Sequence, residues 1–348
     1  MFFALFELNV SYLVNIMSIE KNKLFSIIKK KLPQKVLFTE EIADVLDMSY
    51  DASYRRIKGK TSLTLEEAVV LAKHYKISLN ELYNLQSDNS LFIDKKSYDN
   101  TFESLIKFYK EYSCYTQSFT KNHDTTIIYS AKDIPLYHFK TNNLYWKFRI
   151  YVHLNFLYSD ANNKTEFKNF KPSSLIIEEV NKFRSNFEKA NITDIWEDTT
   201  INSSLYQIFY FFKIKLIEKD EALLLCDEIT LMIKGIEKAA AQGFLNSNKE
   251  KKFNLYYSKL LNLNHTIFFK TEGRKSVLVP YSSLSHMKIE NESICNEIDI
   301  HLKKQMQFAK KISGDSEEVD RRVFVTTMYE KIEQLKAEIE SRMLMSFM

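Results

Sequence analysis

The chain is poor in the residues that break, staple or cradle. Its 348 residues include four prolines, five glycines and three cysteines. With so few breakers, long uninterrupted helices are expected. A nucleotide-cradling loop needs clustered glycines, so that backbone amides can approach phosphate. Gly59, Gly235, Gly243, Gly273 and Gly314 are scattered, so neither a GxGxxG turn nor a Walker loop can be written. Cys114, Cys226 and Cys295 are odd in number, far apart and without CxxC spacing. They suit neither a disulfide framework nor a zinc site, and they fit a reducing cytoplasm. Charge of one sign is also scarce. Forty-nine basic against 45 acidic side chains leave a formal net of +4, so affinity for nucleic acid has to come from local clusters.

Residues 1–17, MFFALFELNVSYLVNIM, are apolar but carry no basic stretch and no small-residue cleavage site. Glu7 and Asn9 interrupt a run already short for spanning a bilayer. The reading is an extension that is not native or is disordered, with Met17 as the natural start. A membrane tether through these residues is the lesser alternative.

From Ser18 the pattern becomes informative. Leu24, Ile27, Ile28 and Leu32 fall at helical spacing up to Pro33, with Lys29, Lys30, Lys31 and Lys35 near the end. Thr39 is placed to cap a second helix carrying Ile42, Ala43, Val45 and Leu46, with Glu40 and Glu41 in its first turn. Asp47-Met48-Ser49 reads as a tight turn, and Ser49 caps a short helix over Tyr50–Ile57 that Gly59 ends. Thr64 caps a fourth helix with Leu65, Ala68, Val69, Leu71 and Ala72 as its stripe. Ser78 caps a last one with Leu79, Leu82 and Tyr83.

Two helices joined by a tight turn are how a protein builds a wedge for the DNA major groove. The segment resembles the helix-turn-helix of the Cro/CI (XRE) repressor class, and SYDASYRRIKGKTSLTLEE is most similar to its BetR-type regulators. The resemblance covers about residues 18–85, a fifth of the chain. It implies a five-helix, lambda-repressor-like domain that binds operators as a dimer with its third helix in the major groove. By position it places Ser49, Tyr50, Asp51, Ser53 and Tyr54 at or near base edges, and Arg55, Arg56, Lys58 and Lys60 at phosphates or a guanine. The class usually opens its reading helix with Gln or Ser-Gln, where this chain has Tyr50-Asp51. Asp51 can accept from cytosine N4 but is repelled by phosphate, so capping the helix is its other use. Residues 18–85 hold twelve Lys or Arg against nine Asp or Glu. The cations gather at 29–35 and 55–60, which favours DNA over a protein-docking adaptor.

Residues 86–98 read as a polar linker, and 99–348 as an α-rich effector or dimerisation domain. Helices are expected at 101–119, 174–190, 203–218, 220–242 ending at Gly243, from Glu292, and at 317–345. Ile127-Ile128-Tyr129 reads as extended. Residues 144–158 are either a buried helix or a strand, because the apolar run is nearly continuous. FNLYYSKLLNL, HTIFFKTEG and KSVLVPY read as a small three-stranded antiparallel sheet near 253–281, with a hairpin at Glu272-Gly273. Val325, Met328, Ile332, Leu335 and Ile339 form a stripe that either packs on its own domain or dimerises. His123, His138, His153, His265, His286 and His301 are scattered without metal-ligand spacing. Neither Ser285-His286 nor Cys295 forms a nucleophile motif. The aromatics of 144–158 and 206–212 are read as plain core in preference to an apolar ligand pocket.

The expectation is therefore a mainly α, cytoplasmic, non-enzymatic transcriptional regulator. Its partners are double-stranded DNA, a second copy of itself and an unknown small-molecule or protein effector, with no cofactor, no metal and no membrane. A Cro-like protein adaptor and a membrane-tethered regulator are the alternatives.

Overall fold

The computed structural model describes residues 23–29, 32, 37–75, 77, 79, 94–96, 98, 101–121, 124–141, 143–156, 165–245, 250–260, 263–282 and 284–345. Its contacts divide the chain into two units, residues 1–92 and 93–348. The extension 1–17, Lys30, Lys31, Lys35 and, apart from Leu79, the helix expected from Ser78 lie outside the described residues.

The first unit is helical. Helix α1 is described over 23–29 and buries Leu24, Phe25 and Ile28. Helices α2 (Phe38–Val45), α3 (Tyr50–Ile57) and α4 (Leu65–Tyr75) follow. Ile42, Ala68 and Leu71 complete a small core with those α1 residues, and Val45, Ile57 and Leu63 pack on it. Helix α2 starts one residue ahead of the expected cap: Leu37 is the N-cap and makes no side-chain cap bond. Thr39 is already helical and serves through its carbonyl, which accepts from Ser53 Oγ at 2.9 Å. The turn between α2 and α3 is closed by Met48 N donating to the Ala43 carbonyl, with Asp47 at φ 49. Ser49 is the cap of α3, its Oγ accepting from Ala52 N at 3.3 Å. Such a cap contributes about 1 kcal/mol. After α3 the backbone reverses at Gly59, φ +79, a conformation other residues adopt only with strain.

The second unit overturns the expectation of an α-rich domain with a small antiparallel sheet. Its strands β1 (Asp94–Lys96), β2 (Thr126–Ala131), β3 (Asn191–Trp196), β4 (Phe253–Tyr257), β5 (Thr266–Lys270), β6 (Lys275–Pro280), β7 (His286–Ile289) and β8 (Lys310–Lys311) form one eight-stranded sheet. The order is β1-β7-β6-β5-β2-β3-β4-β8. Strands β2, β3 and β4 are parallel neighbours, and every other pairing is antiparallel. The β5–β6 hairpin falls where expected, but β4 joins β3 rather than β5. Residues 94–96, expected in the linker, are the edge strand paired with β7.

Parallel neighbours require helical crossovers. Helices α6 (Leu144–Phe156) and α7 (Ser174–Phe187) carry the chain from β2 to β3, and α8 (Asn202–Lys213) and α9 (Lys219–Gln242) from β3 to β4. Alternation along the strands splits the sheet into two faces. Ile127, Tyr129, Ile192, Trp196, Leu255 and Phe269 join the main core with α5 (Phe102–Thr120) and helices α6 to α9. The opposite face is crossed by α10 (Glu292–Phe308), whose Asp299 pairs with Lys270 of β5 at 3.1 Å and lies 3.7 Å from Lys275 of β6. Residues 144–156 prove helical, and Tyr145, Trp146, Phe148, Ile150, Tyr151 and Val152 are buried on almost every side. A helix enclosed that way shows little one-sided periodicity.

Gly243, φ +77, ends α9 where the sequence placed its end, and a reciprocal pair between Glu218 and Glu221, which the sequence reading did not include, opens it. The last helix, α11 (Glu318–Met345), buries Val325, Met328, Ile332 and Ile339 in the main core, with Leu335 packed on it. That stripe is consumed within its own unit. Among the described residues, no helix is long and apolar enough to cross a membrane.

Candidate functional site

An α-helix turns about 100° per residue, so Tyr50, Asp51, Tyr54, Arg55 and Lys58 fall on one side of α3. All five are exposed, Tyr50 by 53% and Tyr54 by 39%, and Lys60, beyond Gly59, is exposed as well. Lys58 Nζ lies 5.8 Å from the centroid of the Tyr54 ring, a spacing at which a cation is drawn to the π face. Ser49 sits at the head of this face with its hydroxyl committed to capping.

Two of the nine expected contact residues belong to the other side of the helix. Ser53 is fully buried, and its hydroxyl ties α3 to α2 through the Thr39 carbonyl. A base edge cannot reach it. Arg56, three residues on and hence on the same inner side, donates from Nε to both Glu67 carboxylate oxygens at 2.7 and 2.8 Å. The Glu67 hydrogen bond strengthens the guanidinium's hold on its proton. Glu67 also accepts from Thr64 N at 2.9 Å, while Thr64 Oγ1 accepts from Glu67 N at 3.2 Å. The reciprocal pair is a capping box at the start of α4, and Arg56 is its brace to α3. The spacing Thr64-x-x-Glu67 is the signal in the sequence for this arrangement.

In the second unit, residues that look isolated along the chain converge. Asp133, two positions beyond the carboxyl end of β2, accepts from Arg149 Nη2 at 2.8 Å and from Ile134 N at 2.8 Å. Arg149 Nη1 donates to Gln207 Oε1 at 2.8 Å, so α6 and α8 meet at one guanidinium. Burial disfavours the charge on Arg149, but the Asp133 carboxylate together with the nearby Tyr145 and Tyr109 outweighs it and raises the pKa. Tyr129 Oη lies 2.9 Å from His265 Nε2. Burial lowers His265, and burial with help from Arg149 holds His153 down to about 4. These residues line a cavity of about 530 Å³ at the end of β2, with His286, Ser285 and aromatic residues of α5. The sequence reading of the 144–158 and 206–212 aromatics as plain core holds for Tyr145, Trp146, Phe148 and Tyr151. It misses that Arg149, His153 and Gln207 of the same segments turn toward a cavity.

A second cluster is sealed in the core. His138 Nε2 lies 2.9 Å from Asp194 Oδ2, which also accepts from Trp196 Nε1 at 3.1 Å. The Asp194 side chain is fully buried and that of His138 nearly so. Burial and the nearby Asp194 push the Tyr137 phenol well above its ordinary range. The pairing spans 56 residues of sequence, which local spacing could not reveal. Among the described residues, no group of three or more His, Cys, Asp or Glu is placed to hold a metal ion. Compared with protein-family models, curated proteins and solved structures, the chain matches none.

Proposed function

We propose that the chain is a sequence-specific DNA-binding transcriptional regulator that works in the cytoplasm and places α3 in the major groove. One observation carries the reading. A short helix, capped at Ser49 and braced from behind by Ser53 and Arg56, offers an outer face of Tyr50, Asp51, Tyr54, Arg55 and Lys58, with exposed Lys60 following beyond Gly59. In a groove-binding helix the N-terminal residues meet base edges and the flanking cations meet phosphates. Tyr50, Asp51 and Tyr54 take the first role here, and Arg55, Lys58 and Lys60 the second. The resemblance of residues 18–85 to Cro/CI-type repressors points the same way. Binding as a homodimer belongs to the proposal, because helix-turn-helix proteins read paired half-sites. The buried stripe of α11 does not supply the interface.

The test is a salt titration of affinity for a random-sequence duplex. Each phosphate contact contributes about 0.9 to the slope of log K against log salt. Arg55→Ala with Lys58→Ala is expected to flatten the slope by about two units and weaken binding to every sequence alike. Wild-type protein that binds no duplex, or a double variant with an unchanged slope, would remove α3 from the DNA. A protein-docking adaptor would give the first of those results.

A further inference from the structure

We infer that the cavity at the carboxyl end of β2 binds a neutral, largely apolar small molecule of two or three rings that carries a hydroxyl or carbonyl group. The site lies wholly within the second unit, and neither the inference nor its test depends on DNA binding.

Position is the first argument. Sheets with parallel strands collect ligands beyond the carboxyl ends of those strands, where the connections splay apart. Here β2 has a parallel neighbour on one side and an antiparallel one on the other, so the chain leaves β2 upward while β5 begins beside it. Asp133, after β2, and His265, before β5, both line the resulting space. Its volume of about 530 Å³ is within the range of small-molecule sites.

Chemistry of the walls is the second. Phe108, Tyr112 and Phe183 form a stack, with ring planes 15° and 25° apart and centroids 5.5 and 5.1 Å apart. Ile134, Leu136 and Leu284 add aliphatic surface. Such walls suit a flat ring system. Among the described lining residues Arg149 is the one Lys or Arg and is matched by Asp133, and burial pushes both His153 and His265 toward the neutral form. A charged ligand would lose its hydration and meet no unmatched counter-charge, which is costly in a buried site.

The third argument is a polar group without a use. Tyr112 is almost completely buried and lines the cavity, yet its hydroxyl has no hydrogen-bond partner among the described residues. A buried phenol in that condition costs free energy, and native structures seldom leave one so. Several polar groups on the β2 side are paired among themselves: Asp133 with Arg149, Arg149 with Gln207, Tyr129 with His265. Tyr112 Oη is therefore the point at which a ligand hydroxyl or carbonyl gains most.

The probes are N-phenyl-1-naphthylamine, its sulfonated analogue 8-anilinonaphthalene-1-sulfonate, and 2-naphthol as a competitor. With the full chain, the neutral amine is expected to give saturable one-site fluorescence enhancement, and the sulfonate to bind at least tenfold more weakly. Leu136→Trp and Leu284→Trp each fill the space and should abolish the signal. Tyr112→Phe should leave the amine's affinity within about twofold but weaken 2-naphthol about fivefold, the loss of one hydrogen bond. Hydrogen exchange of the wild-type protein should slow on adding the amine within 105–112 and 133–153, which requires no variant. Equal binding of amine and sulfonate would overturn the inference. So would affinity retained in a folded filling variant, or exchange unaltered in those segments.

Discussion

The two units hold themselves together in opposite ways. The first is secured by contacts between residues close in sequence: Ser49 with Ala52, Thr64 with Glu67, Ser53 with Thr39, Arg56 with Glu67. The second is secured by partners far apart. Asp194 meets His138 across 56 residues, Tyr129 meets His265 across 136, and Lys331 reaches Asp198 across 133. A unit of local contacts makes a small helical body that leaves the outer face of α3 exposed. A unit of distant contacts encloses space, and the polar groups it traps must satisfy one another. The difference predicts where each is fragile.

The sharpest way to expose it is Asp194→Ala. One carboxylate at the centre of the sheet holds both His138 and Trp196 Nε1. Its removal leaves two buried polar groups unpaired at roughly 2 kcal/mol each, a loss of about 4 kcal/mol. Trp146 and Trp196 are the only tryptophans, so tryptophan emission during urea unfolding reports on the second unit alone. Its midpoint is expected to fall steeply, and an unmoved midpoint would show that the cluster contributes nothing.

Acid gives the next largest contrast. His153 is held down to about 4 by burial and by Arg149, against an ordinary value of about 6.5. The unfolded chain therefore binds a proton first as pH falls, and the folded form loses stability between about 6.5 and 4. The stabilisation is complete above that window and gone below it, a change of about 3 kcal/mol. The lowered His265 acts with the same sign. Urea midpoints at pH 7 and pH 4.5 should separate widely for the wild type and less for His153→Gln. Equal separation would place the acid sensitivity elsewhere.

What could be read from the residues follows the same division. Helix α3 is bounded as expected, from Tyr50 to Ile57, because a serine cap and a positive-φ glycine are local devices. The β5–β6 hairpin is legible for the same reason. The sheet is not. Strand β3, NITDIW, alternates no apolar face, because Thr193 and Asp194 are buried along with Ile192 and Ile195. A central strand covered on both sides does not need to alternate, and its polar residues disguise it as a loop between helices. Without β3 there is no parallel core, and β4 looks like the first strand of a small antiparallel sheet. The cavity was hidden for a related reason: Asp133, Arg149, Gln207 and His265 come from four segments, and no spacing joins them. Ser53 and Arg56 fail differently. Their chemistry suits DNA, but helix phase turns them toward the brace, and phase is decided by which side packs.

Arg56 therefore offers the smallest but most discriminating test. If it braces Glu67, Arg56→Ala should destabilise the first unit by about 1 kcal/mol, the scale for a partly exposed ion pair with well-aligned hydrogen bonds. Amide exchange over residues 50–75 would then quicken about fivefold, while the salt slope for duplex binding stays as in the wild type. Were Arg56 a phosphate contact, the slope would drop by about one unit with exchange unaltered. Arg56→Lys separates the roles again. A lysine keeps the charge a phosphate would need but lacks the planar fork that both Glu67 oxygens accept from. Quickened exchange in Arg56→Lys as well as in Arg56→Ala would assign the residue to the fold, and would leave Arg55, Lys58 and Lys60 as the cations of the outer face.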